Sequence, residues 1–184
     1  MILKTLKDIA GILKKSNIPY MVVGGQAIVV YGKPRFTQDV DIIVALIPEE
    51  AEPLLNAVSA IFRILPEDVK RFIRETWVLP LEHKETKVRV DVVFSIIPFE
   101  KEAIEKTREI RVDNVSVKYI APEYLVVQKI IAGRARDLED AAWVLEVQGN
   151  KIDIAEIERI IKTVAKGKEG TEWLKRWRRL KKRT

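Results

Sequence analysis

Apolar positions along the chain alternate between two periods, and the switches mark its elements. Residues 2–15 place Ile2, Leu6, Ile9 and Leu13 at helical spacing with Lys and Asp between them, which predicts an amphipathic helix. Asn17 and Pro19 end it, and residues 20–23 follow as a short buried strand. Gly24 and Gly25 break that strand, and residues 26–31 suit a helix ending at Gly32. Residues 38–45 are a second predicted strand. Pro48, Glu49 and Glu50 mark a helix start, with carboxylates at the positive end of the dipole, and that helix is expected to reach about Phe62. A shorter helix is predicted over 66–74, strands over 77–83 and 87–94, and a helix over 98–107. Residues 108–113 and 115–120 alternate at period two around Asp113-Asn114, a hairpin pattern. From Pro122 onward the pattern is helical, broken near Gly133, Gly149-Asn150 and 167–170. The expected architecture is α/β (α+β): a mixed sheet flanked by helices over 1–120, then a helical extension over 121–184 that ends in a basic amphipathic helix. Together these are expected to make one compact domain.

Composition narrows the chemistry. With 47% hydrophobic and 33% charged residues the chain is of globular type. No apolar run approaches the ~20 residues of a membrane span, and the first fifteen residues interleave charge with no small-residue cleavage site. A soluble cytoplasmic protein without a membrane partner is the expectation. The absence of Cys excludes disulfides, thiol nucleophiles and Cys-based metal sites, and the single His83 excludes multi-His centres. His83 is expected on the surface of a strand. The net charge of +6 is uneven: residues 166–184 hold nine Lys or Arg against two Glu, so the rest is close to neutral.

The strongest chemical feature is GGQAIVVYGKPRFTQDVDIIV, residues 24–44. Asp39 and Asp41, two apart on a strand, share a face about 6.6–7 Å apart along the chain. Carboxylates so placed can grip divalent ions, which two-metal phosphoryl-transfer sites hold ~3.5–4 Å apart. Asp91, in VRVDVVF, is a lone acid on a later apolar strand and a candidate third ligand, or else the partner of Arg89. Gly24 and Gly25 lack Cβ atoms, so backbone N–H groups at that turn can approach phosphate oxygens. Arg35 and Thr37 precede the acidic pair within reach of a triphosphate.

Gly24-Gly25, Asp39-Val40-Asp41 and the later Asp91 resemble the nucleotidyltransferase superfamily of DNA-polymerase-beta-like enzymes. The run from Arg35 to Asp41 is most similar to a small prokaryotic branch holding AbiEii-type toxins and antibiotic nucleotidyltransferases. That branch also has a later Lys followed by a charged helix, and Lys129 with Arg136-Asp137-Leu138-Glu139-Asp140 is similar. The resemblance implies a nucleotidyltransferase fold, transfer of a nucleoside monophosphate from an NTP such as ATP with release of pyrophosphate, and Mg²⁺ or Mn²⁺. It implies that Asp39, Asp41 and Asp91 are catalytic metal ligands, and that Gly24, Gly25, Arg35, Thr37, Lys129, Arg136 and Asp137 bind the nucleotide. A partner antitoxin is implied by the same branch. The alternative for Asp137 and Asp140 is an ion-paired helix face.

In the tail, Trp173, Trp177 and Leu180 recur at i, i+4 and i+7 between cations. The stripe can dock the last helix, while Arg176, Arg178, Arg179 and Lys182 face an acceptor. RNA, including a tRNA end, is the favoured acceptor; a protein side chain, a small hydroxylated molecule, or binding without turnover are the alternatives. Trp143, on an Ala/Val/Leu face, is expected in the core.

Overall fold

In the computed structural model, which describes residues 1–34 and 36–182, strand alternation organises a single sheet. In β2 (Asp39–Val44), Val40, Ile42 and Val44 are fully buried; in β5 (Arg89–Phe94), so are Val90 and Val92. Around this pair stand β1 (Tyr20–Val22), β3 (Phe62–Ile64), β4 (Val78–His83), β6 (Arg108–Val112) and β7 (Val115–Tyr119). The order is β3-β4-β5-β2-β1-β7-β6. β2 runs parallel to β5 and β1 parallel to β7, and the other neighbours are antiparallel. The mixed α/β architecture predicted from the sequence is the one observed.

The chain divides into two compact units, Met1–Gln26 with Phe36–Ile120, and Ala27–Arg35 with Ala121–Thr184; the division passes within α2 (Gly24–Tyr31). The first unit contains the sheet. It also holds α1 (Ile2–Lys15), whose Leu6, Ile9 and Leu13 are fully buried, α3 (Glu52–Val58), α4 (Val69–Thr76) and α5 (Pro98–Glu105). Two expectations are corrected here. The helix expected to reach Phe62 is a short 3-10 turn at Pro48–Glu50 followed by α3, and it stops at Val58. Residues 62–64 instead pair with β4, because strand bonds and the burial of Phe62 against the His83 ring (centroids 5.1 Å apart) outweigh local helix propensity. His83 is not a surface residue: it is buried, its Nε2 lies 2.9 Å from Asp8 Oδ2, and its Nδ1 accepts from the Glu85 and Thr86 backbone N–H groups. With Nδ1 accepting, the ring proton sits on Nε2 and is donated to Asp8. The imidazole thus fastens the turn after β4 to α1.

The second unit is helical: α6 (Pro122–Ala132), α7 (Ala135–Gln148), α8 (Ile154–Val164) and α9 (Gly167–Lys181). Pro122 opens α6 at a position needing no N–H, and Asp153 caps α8 by accepting from Glu156 N at 3.0 Å. Gly133 ends α6 with φ +67°, and a Cβ there would lie 1.8 Å from Arg176 Nη1. That guanidinium donates to the Ile130 and Ile131 carbonyls at 2.8 and 3.2 Å, so α9 caps the C-terminus of α6. Trp177 and Leu180 are buried and Trp173 is half-buried, as a docking stripe requires. No helix among the described residues is long and apolar enough to cross a membrane.

Candidate active site

Register assembles the site. Asp39 pairs opposite Arg89, Val40 opposite Val90 and Asp41 opposite Asp91. Since Val40, Ile42, Val90 and Val92 fill the core side, alternation sends Asp39, Asp41, Arg89 and Asp91 to the other face together. Strands lie about 4.8 Å apart, so Asp41 and Asp91 stand side by side with Asp39 one pleat away. All three carboxylates are half-buried. A slip of one residue would drive them into the core, so the apolar pattern holds the register.

Three further contacts shape this face. A Cβ on Gly24, whose φ is +61°, would lie 1.9 Å from Asp41 Oδ2. Glycine thereby lets the first turn of α2 press its backbone against the carboxylate, and any side chain there would displace it. Buried Gln26 ties the same turn to the acidic strand: its Nε2 donates to Thr37 Oγ1 and, at 3.1 Å, to the Asp39 carbonyl. Arg89 Nε donates to Asp91 Oδ1 at 3.0 Å, so the third carboxylate has an arginine counter-ion. Gln26 is the residue that pattern reading missed. Its only signal is an amide directly after Gly24-Gly25 on a helix otherwise apolar.

The donor set suits a hard divalent cation, being carboxylate oxygens on one face beside the glycine turn that opens α2. Among the described residues no three His, Cys, Asp or Glu side chains close on one point. Asp91 is held toward Arg89.

The remaining residues predicted to bind nucleotide are Arg35, Lys129, Arg136 and Asp137, of which the last three belong to the helical unit. Arg35 lies outside the described residues. Lys129, Asp137 and Asp140 form a buried cluster within the helical unit, with Lys129 Nζ 2.9 Å from Asp137 Oδ1 and 3.0 Å from Asp140 Oδ2. Burial would push the Asp137 carboxyl up, but hydrogen bonds from Arg134 (2.5 Å) and Lys129 outweigh it and hold the pKa at about 2. A phosphate can reach Lys129 only by breaking that pair. Arg136 is exposed one residue away, as are Arg178, Arg179 and Lys182, whereas Arg176 is engaged with α6. Trp143, expected in the core, is half-buried on the edge of a groove.

With the acidic strand pair and its glycine turn in place, the class follows. The chain belongs to a family described as nucleotidyltransferase of unknown function (DUF6036), whose model matches residues 1–183. It is a nucleotidyltransferase. Its fold is similar to that of an antigenic nucleotidyltransferase-like protein from Paracoccidioides brasiliensis, at TM-score 0.57 and 18% identity over 98% of this chain and 88% of that one. It is also similar to ANT(2'')-Ia solved with adenylyl-2''-tobramycin (TM-score 0.59, 13% identity, 96% and 98% covered). A third likeness is to the lincosamide antibiotic adenylyltransferase LnuA (TM-score 0.55, 15% identity, 78% and 96% covered). No curated protein matches the chain by sequence.

Proposed function

We propose that the protein transfers a nucleoside monophosphate from an NTP to a hydroxyl of RNA, using Mg²⁺ or Mn²⁺ held by Asp39, Asp41 and Asp91. The observation that carries this reading is the β2–β5 register, which puts Asp41 opposite Asp91 with Asp39 on the same face and Gly24 against Asp41. The acceptor hydroxyl oxygen attacks the α-phosphorus and gives its proton to solvent, the bond from the α-phosphorus to the bridging oxygen of the β-phosphate breaks, and pyrophosphate leaves. A bound divalent cation would offset the charge that spreads over the phosphoryl oxygens. Asp39 and Asp41 would hold the nucleotide-bound ion and Asp91 would join on the acceptor side. Arg89 keeps Asp91 neutralised meanwhile. Its side chain is 59% exposed, so the pair is worth only about 0–1 kcal/mol and yields readily to a doubly charged ion. The backbone N–H groups opening α2 at Gly24 and Gly25, with Thr37 beside them, would receive the triphosphate. The cation-rich α9 supports RNA as acceptor.

The test is incubation with each α-labelled NTP, Mg²⁺ and total RNA, followed by fractionation of the label. Asp39→Asn and Asp41→Asn are expected to lose at least about 10²–10³-fold of the transfer, with unchanged melting temperature. Near-normal transfer by either variant would overturn the metal-site reading. Label in a protein or small-molecule fraction would replace RNA as acceptor.

A further inference from the structure

We infer that the groove between α7 and α9 binds single-stranded RNA, with Trp143 as a stacking surface and Arg136 and Arg179 as phosphate contacts. This rests on RNA being the acceptor, yet its grounds lie wholly within the helical unit. The groove has a volume of about 970 Å³, and Trp143, Arg136, Arg179, Glu139 and Glu146 line it. Its floor is fixed, because Arg176 locks α9 to the end of α6 and Trp177 and Leu180 are buried.

Its charge is the second observation. Arg136 and Arg179 are exposed and make no ion pair among the described residues, unlike Lys175 and Lys181 on α9. Of the two lining carboxylates, Glu146 is neutralised by Lys33 at 2.7 Å. Lys33 Nζ also stands 6.0 Å from the Trp143 ring centroid, adding positive potential beside the indole. Of the described lining carboxylates, Glu139 is left to oppose the cations. A half-exposed indole flanked by exposed arginines is the combination that holds single strands: cations follow the phosphates and unstacked bases lie on the ring. A duplex keeps its bases stacked on each other and offers the indole nothing. An acidic protein segment would meet the cations but leave the ring unused.

The experiment uses the full chain and a fluorescein-labelled twelve-residue oligouridine, with anisotropy followed from low to moderate salt. Wild type is expected to bind with steep salt dependence and to show quenched tryptophan fluorescence. Changing Arg136 and Arg179 together to Ser should weaken binding at least tenfold at low salt. It should flatten the log K against log salt slope by about 1.4, or 0.7 per lost contact on a single strand. Trp143→Leu should weaken binding about 5- to 150-fold, abolish most of the quench and leave the slope unchanged. Melting curves of each variant within a few degrees of wild type separate these effects from misfolding. No wild-type binding at low salt, an unchanged slope in the double variant, or quenching that survives Trp143→Leu would each overturn the groove assignment. Equal competition by polyglutamate of matching charge would overturn it in favour of an acidic protein partner. If RNA is labelled but the groove variants label it normally, the groove falls and the transferase reading stands. If the groove binds RNA but no NTP labels any acceptor, the groove stands and the transferase reading falls.

Discussion

Two clusters of the same side chains, Asp with Lys or Arg, are put to opposite uses. On the sheet, Asp39, Asp41 and Asp91 are half-buried, and Arg89, the cation on Asp91, is mostly in water. In the helical unit, Lys129, Asp137 and Asp140 are almost completely buried, and both carboxylates are ion-paired with Lys129, at 2.9 and 3.0 Å. Charges at a water boundary remain exchangeable, because water and ions can replace any partner at little cost. Charges taken out of water cannot be separated without a large desolvation penalty. The first cluster can therefore receive a ligand, while the second holds α6 to α7.

The largest effect expected from this contrast follows removal of the buried cation. Lys129→Met leaves two buried carboxylates without their ammonium and should cost about 3–5 kcal/mol, a fall in melting temperature of about 6–20 °C for a chain of this size. Adding Asp137→Asn and Asp140→Asn to it should recover most of the loss. A fall of under about 2 °C in the single variant, less than 1 kcal/mol on the same scale, would erase the distinction between the clusters.

A smaller effect appears in acid. The folded Asp137 pKa is depressed from 3.8 to about 2, so its contribution is complete above about pH 4 and disappears as pH falls toward 2. Unfolding by urea across that window should show about 2 kcal/mol lost through this group, and Asp137→Asn should have a flatter profile there. An identical pH profile in the variant would mean that Asp137 is not held by its cations.

The smallest effect belongs to the sheet. Arg89→Ala should change stability by about 0–1 kcal/mol. On the proposed metal-site reading Mg²⁺ should raise the melting temperature of wild type, and that of the variant by as much or more, since a competitor for Asp91 is gone. A loss of Mg²⁺ stabilisation would make Arg89 part of the site instead of a stand-in for its ion.

Much of this molecule is legible in local spacing alone. The Asp39-x-Asp41 pair, the breaking of β1 at Gly24, the β6–β7 hairpin at Asp113 and the burial of Trp177 and Leu180 all follow from periods of two or 3.6 residues and from single-residue backbone preferences. These are short-range properties, written wherever the residues stand. Long-range register decided the rest. That Asp91 faces Asp41 depends on how two strands far apart in the chain align. Residues 62–64 became a strand because β4 was there to pair with them, and His83 became buried because Asp8 on α1 met its ring. Lys129 and Trp143 show the same dependence in the helical unit, where the packing of α6, α7 and α9 buried the amine and left the indole on a groove. A sequence determines periodicity residue by residue, whereas desolvation depends on every surface that folding brings alongside, and only the tertiary structure sets which charges keep their water.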